Sequence, residues 1–223
     1  MLFCKSFRTF IYKKVTIMKK IFAVIAAVML AVPSFAQFAS GGFELDKQNL
    51  YYGARMGLNL GMMSGDIDET GVKAGLNLAA IIGLRLSSTS PVFLESGLYY
   101  TQRGGKKDEF SLGLKYLEIP VVIKYGIKAS DDIAVLPFIG PYFSWGIGGK
   151  YKYEDVVDGT TVSLDRSSYN FVNHGDMGLK IGCGAEYDML YLEVGGQIGI
   201  ANIADGKGTI HGNALFVNFG VNF

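Results

Sequence analysis

Apolar and non-apolar residues alternate along most of the chain with a period of two. That is the mark of strands that turn one face to an apolar phase. From Tyr52 to Met62 the even positions read Tyr, Ala, Met, Leu, Leu, Met, and Gly53, Arg55, Gly57, Asn59 and Gly61 stand between them. From Val72 to Leu86 every even position is apolar, against Lys73, Gly75, Asn77, Ala79, Ile81, Gly83 and Arg85. The pattern recurs over about 92–103, 112–126, 135–149, 176–187, 191–201 and 213–223, with one break at Ser96. Eight strands of this length suit tilted crossings of a membrane.

Periodicity alone does not say which face points outward. The non-apolar face carries Arg55, Lys73, Arg85, Glu95, Glu118, Lys124, Lys180, Glu186 and Glu193 among many glycines. A narrow polar interior has that composition, with the continuous apolar face left for lipid. The expectation is an all-β protein, an eight-stranded antiparallel up-and-down transmembrane β-barrel over 50–223. Its connections run roughly 63–71, 87–91, 104–111, 127–134, 150–175, 188–190 and 202–212. With both termini periplasmic, the first, third, fifth and seventh face outside at about 9, 8, 26 and 11 residues. Long outer loops and short periplasmic turns are the rule for such barrels, and the fourth connection fits it least well. Tyr52, Tyr125, Tyr187 and Phe223 then fall on the apolar face at the periplasmic rim, and Tyr100 and Trp145 toward the outer one.

The N-terminus supports export. Lys19 and Lys20 precede the run Ile21 to Val32, which ends in Pro33-Ser34-Phe35-Ala36. A basic region, a short apolar stretch and small residues before a cleavage point read as a secretory signal. We expect residues 1–36 to be an extension plus a cleaved signal peptide, with Met18 as the start, and 37–49 to be a periplasmic segment. Six of the 21 basic residues and none of the 20 acidic ones lie in 1–36, so the remainder holds 15 against 20, a net of −5. That balance argues against nucleic acid as a partner. Cys4 would be lost with the signal, which leaves Cys183 alone and no internal disulfide.

Residues 116–127, "YLEIPVVIKYGI", resemble a strand of the PorT-like outer-membrane β-barrel proteins of Bacteroidetes. The segments "PFIGPYFSWGIGG" (137–149) and "DMGLKIGCGAEYDMLYLEVGGQIGIANI" (176–203) resemble the strands that follow in that family. The resemblance covers nearly all of 50–223. It implies the bacterial outer membrane, a barrel fold, and a terminal Phe223 read by the barrel-assembly machinery. It carries no catalytic motif, and the best-known member takes part in protein secretion across the outer membrane.

Candidate sites follow from placement. Six inward bases (Arg55, Lys73, Arg85, Arg103, Lys124, Lys180) against five acids (Glu95, Glu118, Asp176, Glu186, Glu193) predict a structural salt-bridge plug. An eight-stranded barrel is just wide enough for side chains to fill it, and buried charges must be paired. A small-solute channel is the competing reading of the same charges. His174 lies near Asp176, Ser167 and Ser168, so a surface lipid- or peptide-modifying enzyme can be imagined. Chance supplies such a trio in any polar loop, and we expect no catalytic residue, no cofactor and no metal site. The two histidines, His174 and His211, lack ligand spacing. Loop 150–175 is the longest connection, read either as the place where a secretion or surface partner binds or as a solvated hairpin extension. Asp66, Asp68 and Glu69 suggest weak cation contacts with lipopolysaccharide, which with outer-membrane lipid is the expected surrounding. The function expected is non-enzymatic: structural, adhesive or secretion-accessory.

Overall fold

Strands with one apolar face and one polar face have two ways to satisfy both, and this chain closes into a ring. The computed structural model describes residues 49–66, 70–107, 110–157, 160–170, 172–206 and 208–223. The expected signal peptide, and the expected periplasmic segment apart from its last residue, Asn49, lie outside the described residues. The strands are β1 (Leu50–Gly65), β2 (Gly71–Arg85), β3 (Val92–Lys107), β4 (Phe110–Tyr125), β5 (Ile127–Lys128), β6 (Ile133–Val157), β7 (Thr160–Ser167), β8 (Gly175–Tyr187), β9 (Leu190–Gly199) and β10 (Ile210–Asn222). β1 pairs with β2 and β10, and β4 pairs with β6, so β1, β2, β3, β4, β6, β8, β9 and β10 form a closed antiparallel barrel of eight strands. Closure leaves no barrel strand with an unpaired edge, which a strand in hydrocarbon cannot tolerate.

The burial pattern follows the period-two reading. Met56, Leu58, Leu78, Ile119, Ile123, Phe143, Ile181, Val194 and Val217 are exposed on the outer wall. Their strand neighbours Arg55, Asn77, Glu118, Lys124, Tyr142, Lys180, Glu193 and Asn218 are buried inside. Ser96, the break in the outer face, satisfies its hydroxyl by donating to Pro120 O at 2.7 Å. Tyr52, Tyr125 and Tyr187 are exposed at the end that carries the described chain terminus. A row of paired residues starting at Met56, in the middle of β1, runs through Leu78, Tyr100, Leu117 and Trp145 to Gly175, the far-end residue of β8. The strands are therefore tilted against the barrel axis, as closure demands.

The fourth and fifth connections carry strand pairing of their own. The fourth connection is shorter than the pattern suggested. Ile127 and Lys128 form β5 and pair with Val135 and Ala134, and Ala129 N donates to Ile133 O at 2.9 Å. The segment 150–175 is largely strand, the hairpin-extension reading of it. β6 pairs with β8 as far as Trp145, then from Lys150 exchanges that partner for β7, with Lys150 opposite Ser167 and Val157 opposite Thr160. β3, β4, β6 and β7 thus rise together beyond the ring. Glycines at 146, 148 and 149 sit where the exchange occurs, and a register shift falls opposite them at Lys115/Tyr116. Apolar spacing fades over 150–167, which is why the strand was not legible there.

At the opposite end β8 and β9 are joined by Asp188 and Met189, with Asp188 at φ 55°. An aspartate tolerates that left-handed conformation better than most residues.

Candidate functional site

The interior is built from side chains projecting inward at alternate positions, and it is filled. Near the terminus end, Glu95 Oε2 accepts from Lys124 Nζ at 2.8 Å and from Tyr51 OH at 2.8 Å, with Arg55 Nη2 3.7 Å away. Lys124 Nζ also donates to Tyr191 OH at 2.6 Å, and Tyr191 OH to Glu193 Oε2 at 3.2 Å. The Arg55 guanidinium lies 3.9 Å from the centre of the Tyr191 ring and donates to Asn222 Oδ1 at 2.6 Å. Asn222 in turn donates to both oxygens of Glu186, at 2.6 and 2.7 Å. One network therefore ties six strands, β1, β3, β4, β8, β9 and β10.

The middle layer is thinner in charge. Asn77 donates to Asn218 at 3.1 Å, and Asn218 donates to Glu193 at 2.7 Å. The Lys180 ammonium sits between the rings of Tyr99 and Phe216, at 4.2 and 4.6 Å from their centres. Toward the far end Arg103 is the hub. It meets Glu118 at 2.9 Å and Asp176 at 3.2 Å, and donates to Ser144 and Tyr142. Gln197 donates to the other Glu118 oxygen at 2.6 Å, and Asn59 hydrogen-bonds Thr101.

Nine of the eleven residues expected inside are buried there: Arg55, Glu95, Arg103, Glu118, Lys124, Asp176, Lys180, Glu186 and Glu193. Lys73 and Arg85 are only half-buried. Arg85 stands at the terminus end, its guanidinium 5.4 Å from the centre of the Phe93 ring. Lys73 is a correction, because its ammonium is not in the lumen. β2 and β3 lose their pairing between Val72 and Asn77, and β3 tucks beneath β2 and β1 there. A Cβ on Gly75 would lie 2.2 Å from Gln102 O and one on Gly61 2.7 Å from Gly104 N, so this close approach needs glycine at both places. Lys73 consequently runs over the outward side of β3 and β4, where its Nζ donates to Ser111 Oγ at 2.9 Å. The buried interior then holds four cations and five carboxylates among the described residues.

Sequence reasoning passed over the aromatic half of this interior. Tyr51, Phe93, Tyr99, Tyr116, Phe138, Tyr142, Tyr191 and Phe216 are all buried beside the charges. Tyr99 and Tyr191 share strand parity with the inward charges Glu95 and Glu193, and that signal was available. The far mouth gave no such signal. There Val172 and Ile203, 2% and 0% exposed, close over Met63, Leu112, Leu114 and Tyr116. Asn173 N donates to Ile203 O and Val172 bridges Ala204, fastening the two connecting segments across the opening.

The imagined catalytic trio is not assembled among the described side chains. Asp176 is held inside by Arg103, Ser168 Oγ donates to Gly113 O at 2.9 Å, and His174 Nδ1 meets Gly146 O at 2.8 Å. His174 is stacked instead between Tyr169 and Trp145, with ring centres 4.2 and 5.9 Å away. His211 Nδ1 lies 3.0 Å from Ala201 O. Asp66 accepts from Thr209 N at 2.8 Å, while Asp68 and Glu69 lie outside the described residues. Cys183 is half-buried on the outer wall.

A family model described as outer membrane protein beta-barrel domain matches residues 35–205. No curated protein matches the sequence. Among solved structures, Ail, the attachment invasion locus protein of Yersinia pestis, is similar at 11% identity and TM-score 0.44, over 79% of this chain and 100% of that one. Neisserial surface protein A is similar at 15% identity and TM-score 0.45, over 79% of this chain and 98% of that one. The N-terminal β-barrel domain of Pseudomonas aeruginosa OprF follows at 12% identity and TM-score 0.35, over 79% and 98%.

Proposed function

The chain belongs to the outer membrane protein β-barrel domain family, a bacterial outer-membrane fold, and we propose that within it this protein is a non-conducting, non-enzymatic barrel that presents the β6–β7 hairpin outside the cell as a recognition surface. The observation that carries this reading is the closed far mouth. Val172 and Ile203 close over Met63, Leu112 and Leu114 above an interior of interlocked charges and rings, which supports a barrel without a solute path. Activity then belongs to what projects. The four strands β3, β4, β6 and β7 continue past the ring on one side, and long outward segments on rigid scaffolds are where binding resides. The lengths of the connections support this orientation, since in such barrels short turns face the periplasm and long extensions face outside.

The resemblance of 116–127 and 137–149 to PorT-like strands favours a secretion-accessory role as the second reading, with the same hairpin as the contact. Both readings are tested by replacing 152–166 with a two-residue Asn-Gly turn, which suits a tight hairpin. Protease treatment of intact cells should cut the wild-type protein within this hairpin and leave the variant whole. Variant cells should keep the folded barrel and lose attachment to protein-coated surfaces. Unchanged attachment with loss of protein secretion would move the secretion reading to first place, and no change in either would remove the hairpin from function.

A further inference from the structure

The displaced Lys73 helps to line a cleft of about 220 Å³ on the outer wall, together with Gln102, Gly113, Lys115 and Lys150. Its level on the barrel is readable from the strands. The apolar outer face of β3 ends at Tyr100, that of β4 at Leu117 and that of β6 at Ile147. Immediately beyond, toward the far end, the outward positions are Gln102, Lys115 and Lys150. Trp145, 64% exposed on the outer wall, marks the edge of the apolar band beside them. An aromatic residue followed at once by lysines is the arrangement expected where hydrocarbon gives way to headgroups.

The floor of the cleft is glycine. A Cβ on Gly113 would lie 2.9 Å from Lys73 Nζ, and one on Gly104 would lie 3.1 Å from Lys73 Cδ. Bare backbone there lets the ammonium lie close to the wall. Lys115 and Lys150 are exposed beside it. Three lysines line this one shallow opening, which suits an anion with several acceptor oxygens, and the apolar wall directly below suits acyl chains.

We propose that this cleft binds a phosphate group carried by an outer-leaflet lipid, with Lys73, Lys115 and Lys150 as its ligands and the wall below Tyr100 and Leu117 against the acyl chains. The assignment of the leaflet rests on the orientation argued above. The chemistry of the cleft does not.

The test uses the full barrel, purified in a mild non-ionic detergent, and the K115Q/K150Q variant. Lys128→Gln, an exposed lysine at the terminus end, serves as a control of equal charge type. Binding of bis-phosphorylated lipid A is read by native mass spectrometry, with heat-modifiable gel migration to confirm folding. Wild type and Lys128→Gln should bind at least about tenfold more tightly than K115Q/K150Q, and K115R/K150R should recover most of the loss. Lipid A stripped of its phosphates should bind no better to wild type than to K115Q/K150Q. Equal binding by folded wild type and K115Q/K150Q would overturn the proposal. So would saturation by inorganic phosphate alone over the same concentration range, which would assign the cleft to a free anion. Protease shaving of intact cells reads the orientation separately. If the hairpin proved periplasmic while phosphate-dependent binding persisted, the leaflet would be overturned and the cleft would stand.

Discussion

Arg103 on β3 reaches along the interior to Glu118 on β4, with Nη2 and Oε2 2.9 Å apart and both side chains almost wholly buried. The pair is part of a larger cluster, since Asp176 lies 3.2 Å from the same guanidinium and Gln197 satisfies the second oxygen of Glu118. Removing one member leaves the others charged and dry, which costs more than the pair itself contributes. Glu118→Ala should destabilise the barrel by about 3–5 kcal/mol in urea unfolding from lipid vesicles. The double variant R103A/E118A should lose less than the two single losses combined. Strict additivity would show that the two groups do not depend on each other.

The outer wall and the interior should respond oppositely to the same kind of change one residue apart. Leu78 is exposed on the outer wall near the middle of β2, and its neighbour Asn77 is buried, donating to Asn218. Leu78→Arg places a charge in hydrocarbon and should cost about 2–4 kcal/mol of folding free energy in vesicles. Asn77→Ser gives up one hydrogen bond and should cost about 1 kcal/mol. Similar losses at both positions would contradict the assigned register.

Much of this architecture was legible in the sequence, because strand period fixes which side chains share a face. Leu117, Ile119, Val121 and Ile123 could not all face lipid unless Glu118 and Lys124 faced inward. Three things escaped that logic. Lys73 has inward parity, yet a loss of strand pairing carries its ammonium outside, and pairing irregularities leave no mark in alternation. β6 runs 25 residues because β7 replaces β8 as its partner, and that exchange is a tertiary event. Val172 and Ile203 lie outside the barrel strands, where a buried apolar residue has no periodic context to reveal it.

That last feature makes a separate expectation. The far mouth is held shut by apolar contact, with Ile203 fully buried against Leu112, Leu114 and Tyr116. Ile203→Asp would put a carboxylate into that contact and should loosen the two connecting segments without unfolding the ring. Hydrogen exchange should rise at the amide of Asn173, which donates to the carbonyl of residue 203, and at the amide of residue 203, which donates to Ile210 O, and stay unchanged at the β1–β10 pairing. Uniform exchange across the whole barrel would show that the stopper and the ring unfold as one.

Export should remove the N-terminal segment. The motive is the run Ile21 to Val32 with Ser34 and Ala36 before the expected cut. N-terminal sequencing of protein from isolated outer membranes should begin at Gln37 or within a few residues of it. Retention of Met1 or Met18 would contradict the signal.

The central claim is that the barrel is closed from within, by Arg103, Glu118, Lys124 and Glu95 in its body and by Val172 and Ile203 at its mouth. Planar-bilayer recording on the purified wild-type protein tests it most directly. The account predicts a silent bilayer after insertion, with protein incorporation verified by folded-state gel migration of the same vesicles. Stable, ion-selective conductance steps of uniform size would contradict it and make the protein a channel.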